Sequence, residues 1–182
     1  MKTTRIERSA MVLHPVSLLF DSVNDIEAYP QFMDGCRAAR VLSRSDDEVV
    51  ARLDLARGGI QQSFATRNRL VRPTSIVMEL EEGPFTRLHG EWQFKPLTDS
   101  ACKVSLILEF QFKSGLARLA GNKLFTHVAN NLVAATTARA DIVAVYKRQL
   151  PRASIHSEGS PEETRDEEER GSTASDNRSK TE

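Results

Sequence analysis

The sequence predicts an α+β domain in which a curved antiparallel sheet of about seven strands packs against one long C-terminal helix. Three observations predict it. Between Cys36 and Phe112 the chain runs in short stretches of alternating apolar and polar residues, broken by turn signals. Two short helical stretches follow the first strand. From Gly115 to about Tyr146 the apolar spacing becomes helical and stays so to the end of the apolar region.

Thr3 to Leu13 reads as the first strand, with Ile6, Ala10 and Val12 among polar neighbours. Pro15 suits the first turn of a helix, where a missing N–H costs nothing. Val16, Leu19, Phe20 and Val23 then recur at i, i+3, i+4 and i+7, the pattern of a short amphipathic helix. Asn24-Asp25 breaks it, and Asp25 is expected to cap a second short helix reaching about Phe32. Asp34-Gly35 makes the turn out.

Arg40–Leu42 is a weak strand. Glu48–Ala56 alternates well, with Val49, Ala51, Leu53 and Leu55 on one face and Val50, Arg52 and Asp54 on the other. Arg57-Gly58-Gly59 is a hairpin turn signal. Ile60–Leu70 follows, setting Ile60, Phe64 and Leu70 against Gln61, Ser63, Arg67 and Arg69. Pro73-Thr74 leads into Ile76–Leu80, and Gly83-Pro84 into Leu88–Lys95. In that strand Leu88, Gly90, Trp92 and Phe94 share a face, and Gly90 is expected to leave space between Leu88 and Trp92. Cys102–Phe112 alternates strictly through Val104, Leu106, Leu108 and Phe110. Successive hairpins make the sheet an antiparallel meander. The last element carries Leu116, Leu119, Leu124, Val128, Leu132, Ala135, Ala138, Ile142 and Val145 at helical spacing over about 45 Å.

The chain has 182 residues, enough for one domain, expected at 1–148, and an extension at 149–182. From Pro151 onward the only large aliphatic residue is Ile155, there are no aromatics, and Glu162–Arg170 is almost wholly charged. Such a segment buries too little apolar surface to offset its ordering entropy, so a disordered acidic tail is expected. The tail holds 5 of the 25 basic and 9 of the 25 acidic residues, leaving 20 against 16 in residues 1–150. The body is thus mildly basic, which permits contact with RNA or anionic lipid. Cys36 and Cys102 match no metal spacing and no CxxC, and read as reduced, buried thiols. No run approaches the roughly 18 apolar residues of a spanning helix. The expected location is cytoplasmic, with any membrane contact peripheral to the inner membrane.

The order of elements and several motifs resemble the START-like helix-grip superfamily, which also includes polyketide cyclases. Within it the chain looks like the bacterial ribosome association toxin family and its mitochondrial relatives, the ubiquinone-binding START-domain proteins. The resemblance rests on Tyr29–Cys36, Phe64–Leu70, Glu82–Leu97, Leu108–Phe112 and Leu124–Arg139. Asp34 departs from the pattern, standing where the family commonly has proline. The resemblance implies two functions: a hydrophobic cavity holding ubiquinone or a related isoprenoid lipid in support of respiration, or binding to the large ribosomal subunit that blocks subunit association.

For the first, Leu53, Leu55, Phe64, Trp92, Phe94, Phe110 and Phe112 from the sheet would face Leu124, Val128 and Leu132 on the helix. Such a stripe either walls a cavity or fills a core. Tyr29 and Phe32 on the second helix are expected as gate residues, or as ordinary packing. His127 with Asn130-Asn131 could contact a quinone oxygen or simply face solvent. For the second function, Arg67, Arg69, Arg72 and Arg87 could form a basic outer face for RNA phosphate or lipid headgroups. His14 and His89 have no nucleophile partner in a recognisable arrangement, and no phosphate or metal motif occurs. A non-catalytic binder with no catalytic cofactor is therefore expected, with a cyclase as the enzyme alternative.

Overall fold

The computed structural model describes residues 3–115 and 118–149. The tail expected from residue 149 lies outside them from Leu150 on, and so does Leu116. Seven strands form one sheet: β1 (Thr4–Val12), β2 (Cys36–Arg44), β3 (Glu48–Arg57), β4 (Ile60–Val71), β5 (Ser75–Glu82), β6 (Phe85–Thr98) and β7 (Ala101–Phe112). Their spatial order is β1-β7-β6-β5-β4-β3-β2, with every neighbour antiparallel. From β2 to β7 the chain meanders. Only β1 breaks the order, pairing with β7 at one edge while β2 forms the other.

The helix α1 (Val16–Asn24) and a 3₁₀ helix (Ile26–Gln31) carry the chain from the β1 edge to the β2 edge. Leu19, Phe20 and Val23 are buried, as the i, i+3, i+4 spacing requires. Asp25 precedes the second helix but makes no side-chain cap, so the expected capping role is corrected. Tyr29 ties the two helices together instead: its hydroxyl donates to the Val23 carbonyl at 2.6 Å.

The long helix α2 (Arg118–Gln149) has 32 residues, about 48 Å at 1.5 Å per residue. Its buried stripe runs through Leu124, Phe125, Val128, Ala129, Val133, Thr136 and Ala140. The nine expected positions drift off this line in the C-terminal half, where Ala138, Ile142 and Val145 are exposed. At the other end Leu119 is exposed too. A step of 100° per residue continues the true stripe through Val143 and Ala144, which are half-buried. His14, buried after β1, meets Asp141 of α2 at 2.5 Å and fixes that end of the helix.

At the Gly83-Pro84 turn, Gly83 has φ +150°, and a Cβ there would stand 2.7 Å from Cβ of Phe64. Only glycine tolerates both. The turn thereby lets β6 start directly over Phe64, and it delivers Phe85, 2% exposed, into the core.

Candidate functional site

The concave face of the sheet and α2 enclose a cavity of about 60 Å³. β3 contributes Ala51, Leu53 and Leu55 to its wall, β4 Phe64, Thr66 and Asn68, and β5 Met78. Leu88 and Trp92 of β6, Leu108 of β7, and Phe125, Val128, Ala129 and Leu132 of α2 complete the barrel side. On the side of the 3₁₀ helix the lining consists of Ile26, Tyr29 and Met33.

Seven of the residues expected on such a wall are there: Tyr29, Leu53, Leu55, Phe64, Trp92, Val128 and Leu132. The others are placed elsewhere. Phe94 packs on Phe20 of α1 at 5.4 Å between ring centroids. Phe110 and Phe112 join Phe85 and Phe125 in an aromatic cluster, with Phe110 at 4.6 Å from Phe125 and Phe112 at 4.4 Å from Phe85. Leu124 is buried beside the Asp34-Gly35 turn. Phe32 stands edge-on to Tyr29, and the Arg139 guanidinium lies 5.8 Å over its ring.

Gly90 does not leave free space between Leu88 and Trp92, and that expectation is corrected. A Cβ at Gly90 would meet the Met78 methyl at 2.3 Å and a Leu108 methyl at 3.0 Å. The missing side chain is replaced by one reaching over from the neighbouring strand, where Met78 lies directly opposite Gly90.

The wall is almost wholly apolar. Among the described residues, no charged side chain lines it. The lining residues with polar side-chain atoms are Tyr29, Thr66, Asn68 and Trp92. Burial pushes the Tyr29 phenol well above its ordinary value, with smaller contributions from Cys36 and Asp25. Thr66 and Asn68 are 4% and 5% exposed, and Oδ1 of Asn68 is buried without a hydrogen-bond partner. The sequence reading named neither. The signal was available, since both keep the period-2 phase of Phe64 and Leu70.

His127 does not reach the cavity. Its Nε2 lies 3.0 Å from Oδ2 of Asp34, and Arg57 contacts both groups, at 2.8 Å from the carboxylate. Asn131 donates to the His127 carbonyl at 3.0 Å, and Asn130 accepts from Arg8. Asp34, the departure from the family pattern, thus ties the β3–β4 hairpin to α2. Among the described residues, no group of three or more metal-ligating side chains occurs.

The outer face of the sheet is a charge mosaic rather than a basic patch. Arg67 reaches Glu48 at 2.5 Å and Glu81 at 3.0 Å, and Arg87 reaches Glu109 at 3.4 Å; Arg72, expected on this face, instead turns to α1 and reaches Asp21 at 2.9 Å. Arg72 also lies 4.9 Å over the Phe20 ring. Arg69 is exposed and forms no ion pair among the described residues. No helix among those residues is long and apolar enough to cross a membrane.

Residues 12–137 match the family model described as polyketide cyclase / dehydrase and lipid transport. A ribosome association toxin, RatA, of Pseudomonas aeruginosa is 46% identical over 138 residues, covering 76% of this chain and 96% of the relative. The chain belongs to the START-like family of the ribosome association toxins. Solved members of the superfamily share the fold. A START superfamily protein from Mycobacterium smegmatis has a TM-score of 0.63 at 21% identity, over 76% of this chain and 98% of that one. The Zhui aromatase/cyclase from Streptomyces sp. R1128 has a TM-score of 0.68 at 18% identity, over 79% of this chain and 96% of that one. The seven-stranded sheet gripping one long helix is therefore the START-like arrangement, and Asp34 leaves it intact.

Proposed function

We propose that this chain, in the cytoplasm, controls ribosome association by binding the large ribosomal subunit, without catalysing a reaction. The observation that carries this is its likeness, along nearly the whole relative, to a protein named for that activity. Of the four arginines expected on the outer face, Arg69 is the one that forms no ion pair among the described residues, with Glu48 opposite it on β3 turned to Arg67, so it is the first residue to test. RNA phosphate would compete with Glu48 and Glu81 for Arg67, with Asp21 for Arg72 and with Glu109 for Arg87. Binding should accordingly weaken steeply with salt. The test is co-sedimentation of the full chain with isolated large subunits at two salt concentrations. Pelleting with the subunit at low salt supports the reading, and failure to pellet at any salt removes it.

A second reading is favoured by the apolar wall of the cavity: the same domain holds a hydrophobic molecule. Ubiquinone or a related isoprenoid lipid is the ligand we infer, and lipid transport is part of the family's description. Pockets for ligands of that size measure about 300–1,000 Å³, so the cavity must widen by side-chain movement to admit one. Organic extraction and native mass spectrometry of the purified chain test this. A co-purifying lipid supports it, and a lipid-free protein that also takes up none on incubation argues against it.

A further inference from the structure

The inward face of β4 carries a feature that neither subunit binding nor apolar packing uses. Asn68 is 5% exposed, and its Oδ1 has no hydrogen-bond partner. A buried amide oxygen left unpaired is costly, and folds retain few of them. Thr66 stands two residues away on the same face, 4% exposed, and both line the cavity. The other hydroxyl on the wall, that of Tyr29, already donates to Val23.

Strand register places Met78, which offers no hydrogen-bond donor, beside the amide. Asn68 lies opposite Met78, Met78 opposite Gly90, and Gly90 opposite Leu108. The Met78 methyl occupies the place of the absent Gly90 side chain, so Met78 reclines over β6 rather than over Asn68.

No charged side chain among the described residues lines the cavity. An ionic head would lose its hydration there and meet no counter-charge. We propose that Asn68 and Thr66 anchor the neutral polar head, a carbonyl or hydroxyl, of an otherwise apolar molecule, while Met78 stays over β6. The amide serves either head, because its NH2 donates to a carbonyl and its oxygen accepts from a hydroxyl. The proposal rests on the apolar-ligand reading of the cavity.

Trp92, the single tryptophan, lines the same cavity and reports occupancy by its fluorescence. The full chain is titrated with a decyl-substituted quinone, with decylbenzene, and with decanoate, and binding is cross-checked by native mass spectrometry. The quinone should bind about tenfold tighter than decylbenzene, the ratio that ~1.4 kcal/mol from one hydrogen bond gives. Decanoate should bind more weakly than the quinone. In Asn68→Leu the quinone's advantage should vanish while decylbenzene affinity is kept. The melting temperature should hold or rise, which a merely structural asparagine would not allow. Thr66→Val, nearly isosteric, should narrow the same advantage and serves if the first variant fails to fold. Equal binding of quinone and decylbenzene, an advantage that survives both substitutions, or decanoate binding as tightly as the quinone would overturn the anchor alone. Binding of no probe would overturn the apolar-ligand reading with it.

Discussion

Tyr29 and Asn68 share one cavity wall, yet the fold treats their polar atoms in opposite ways. The Tyr29 hydroxyl is spent on the Val23 carbonyl, locking the 3₁₀ helix to α1. Tyr29→Phe should therefore cost about 1 kcal/mol in urea denaturation, the usual worth of such a bond, while leaving apolar-probe binding intact. Cys36 offers a pH test. Burial, with a smaller contribution from the Asp54 carboxylate, raises its thiol from 9.0 to about 11. Tyr29 is shifted in the same direction. Each group keeps its proton longer in the folded chain than in the unfolded one, so the unfolded state releases protons first as pH rises. The stability Cys36 contributes is complete below pH 9.0 and is lost as pH climbs toward about 11, while the Tyr29 contribution begins to fall only above 10.0 and extends the decline to higher pH. Denaturation midpoints should fall across that window, and Cys36→Ala should flatten part of the fall. A midpoint that holds level there would contradict the burial argument.

At the scale of elements, the strands were legible wherever alternation is unbroken. β7 alternates from Cys102 to Phe112, and its buried positions are the expected ones. The β2 strand was legible only over Arg40–Leu42 because bulges at Cys36/Ala38 and Val41/Ser43 break the period at both ends. Helical spacing located α2 but not its face, since Leu, Ile and Val occur all round it and only packing selects the stripe. Gly90 marks a further limit. A sequence states that a side chain is missing; register decides that Met78 fills the gap. Gly90→Ala should force Met78 off β6 and toward Asn68, an overpacking cost of about 1–3 kcal/mol by chemical denaturation. It should also weaken binding of every apolar probe, and adding Met78→Ala should restore that binding. Unchanged binding in Gly90→Ala would show that Met78 does not control the cavity.

For the whole molecule, one domain presents two surfaces suited to act: an apolar cavity and a mosaic outer face. The general architecture was legible because a meander followed by a long helix has few ways to bury both apolar faces. The outer face was not, because charges on a strand do not reveal their partners across neighbouring strands. Arg67 illustrates it, held between Glu48 on β3 and Glu81 on β5. Arg69→Ala is therefore a cleaner probe of an anionic partner than Arg67→Ala, which also breaks those pairs, and unlike Arg69→Glu it sets no like charge opposite Glu48. It should weaken binding to the large subunit and leave the melting temperature unchanged. Loss of binding accompanied by loss of folding would argue against a surface role.

The central claim is that this chain acts on ribosome association. It is tested most directly by mixing the purified full chain with separated ribosomal subunits and resolving the products on a sucrose gradient. The account predicts that joined ribosomes fall and free subunits rise in proportion to the protein added. A gradient profile unchanged by an excess of folded protein would contradict it.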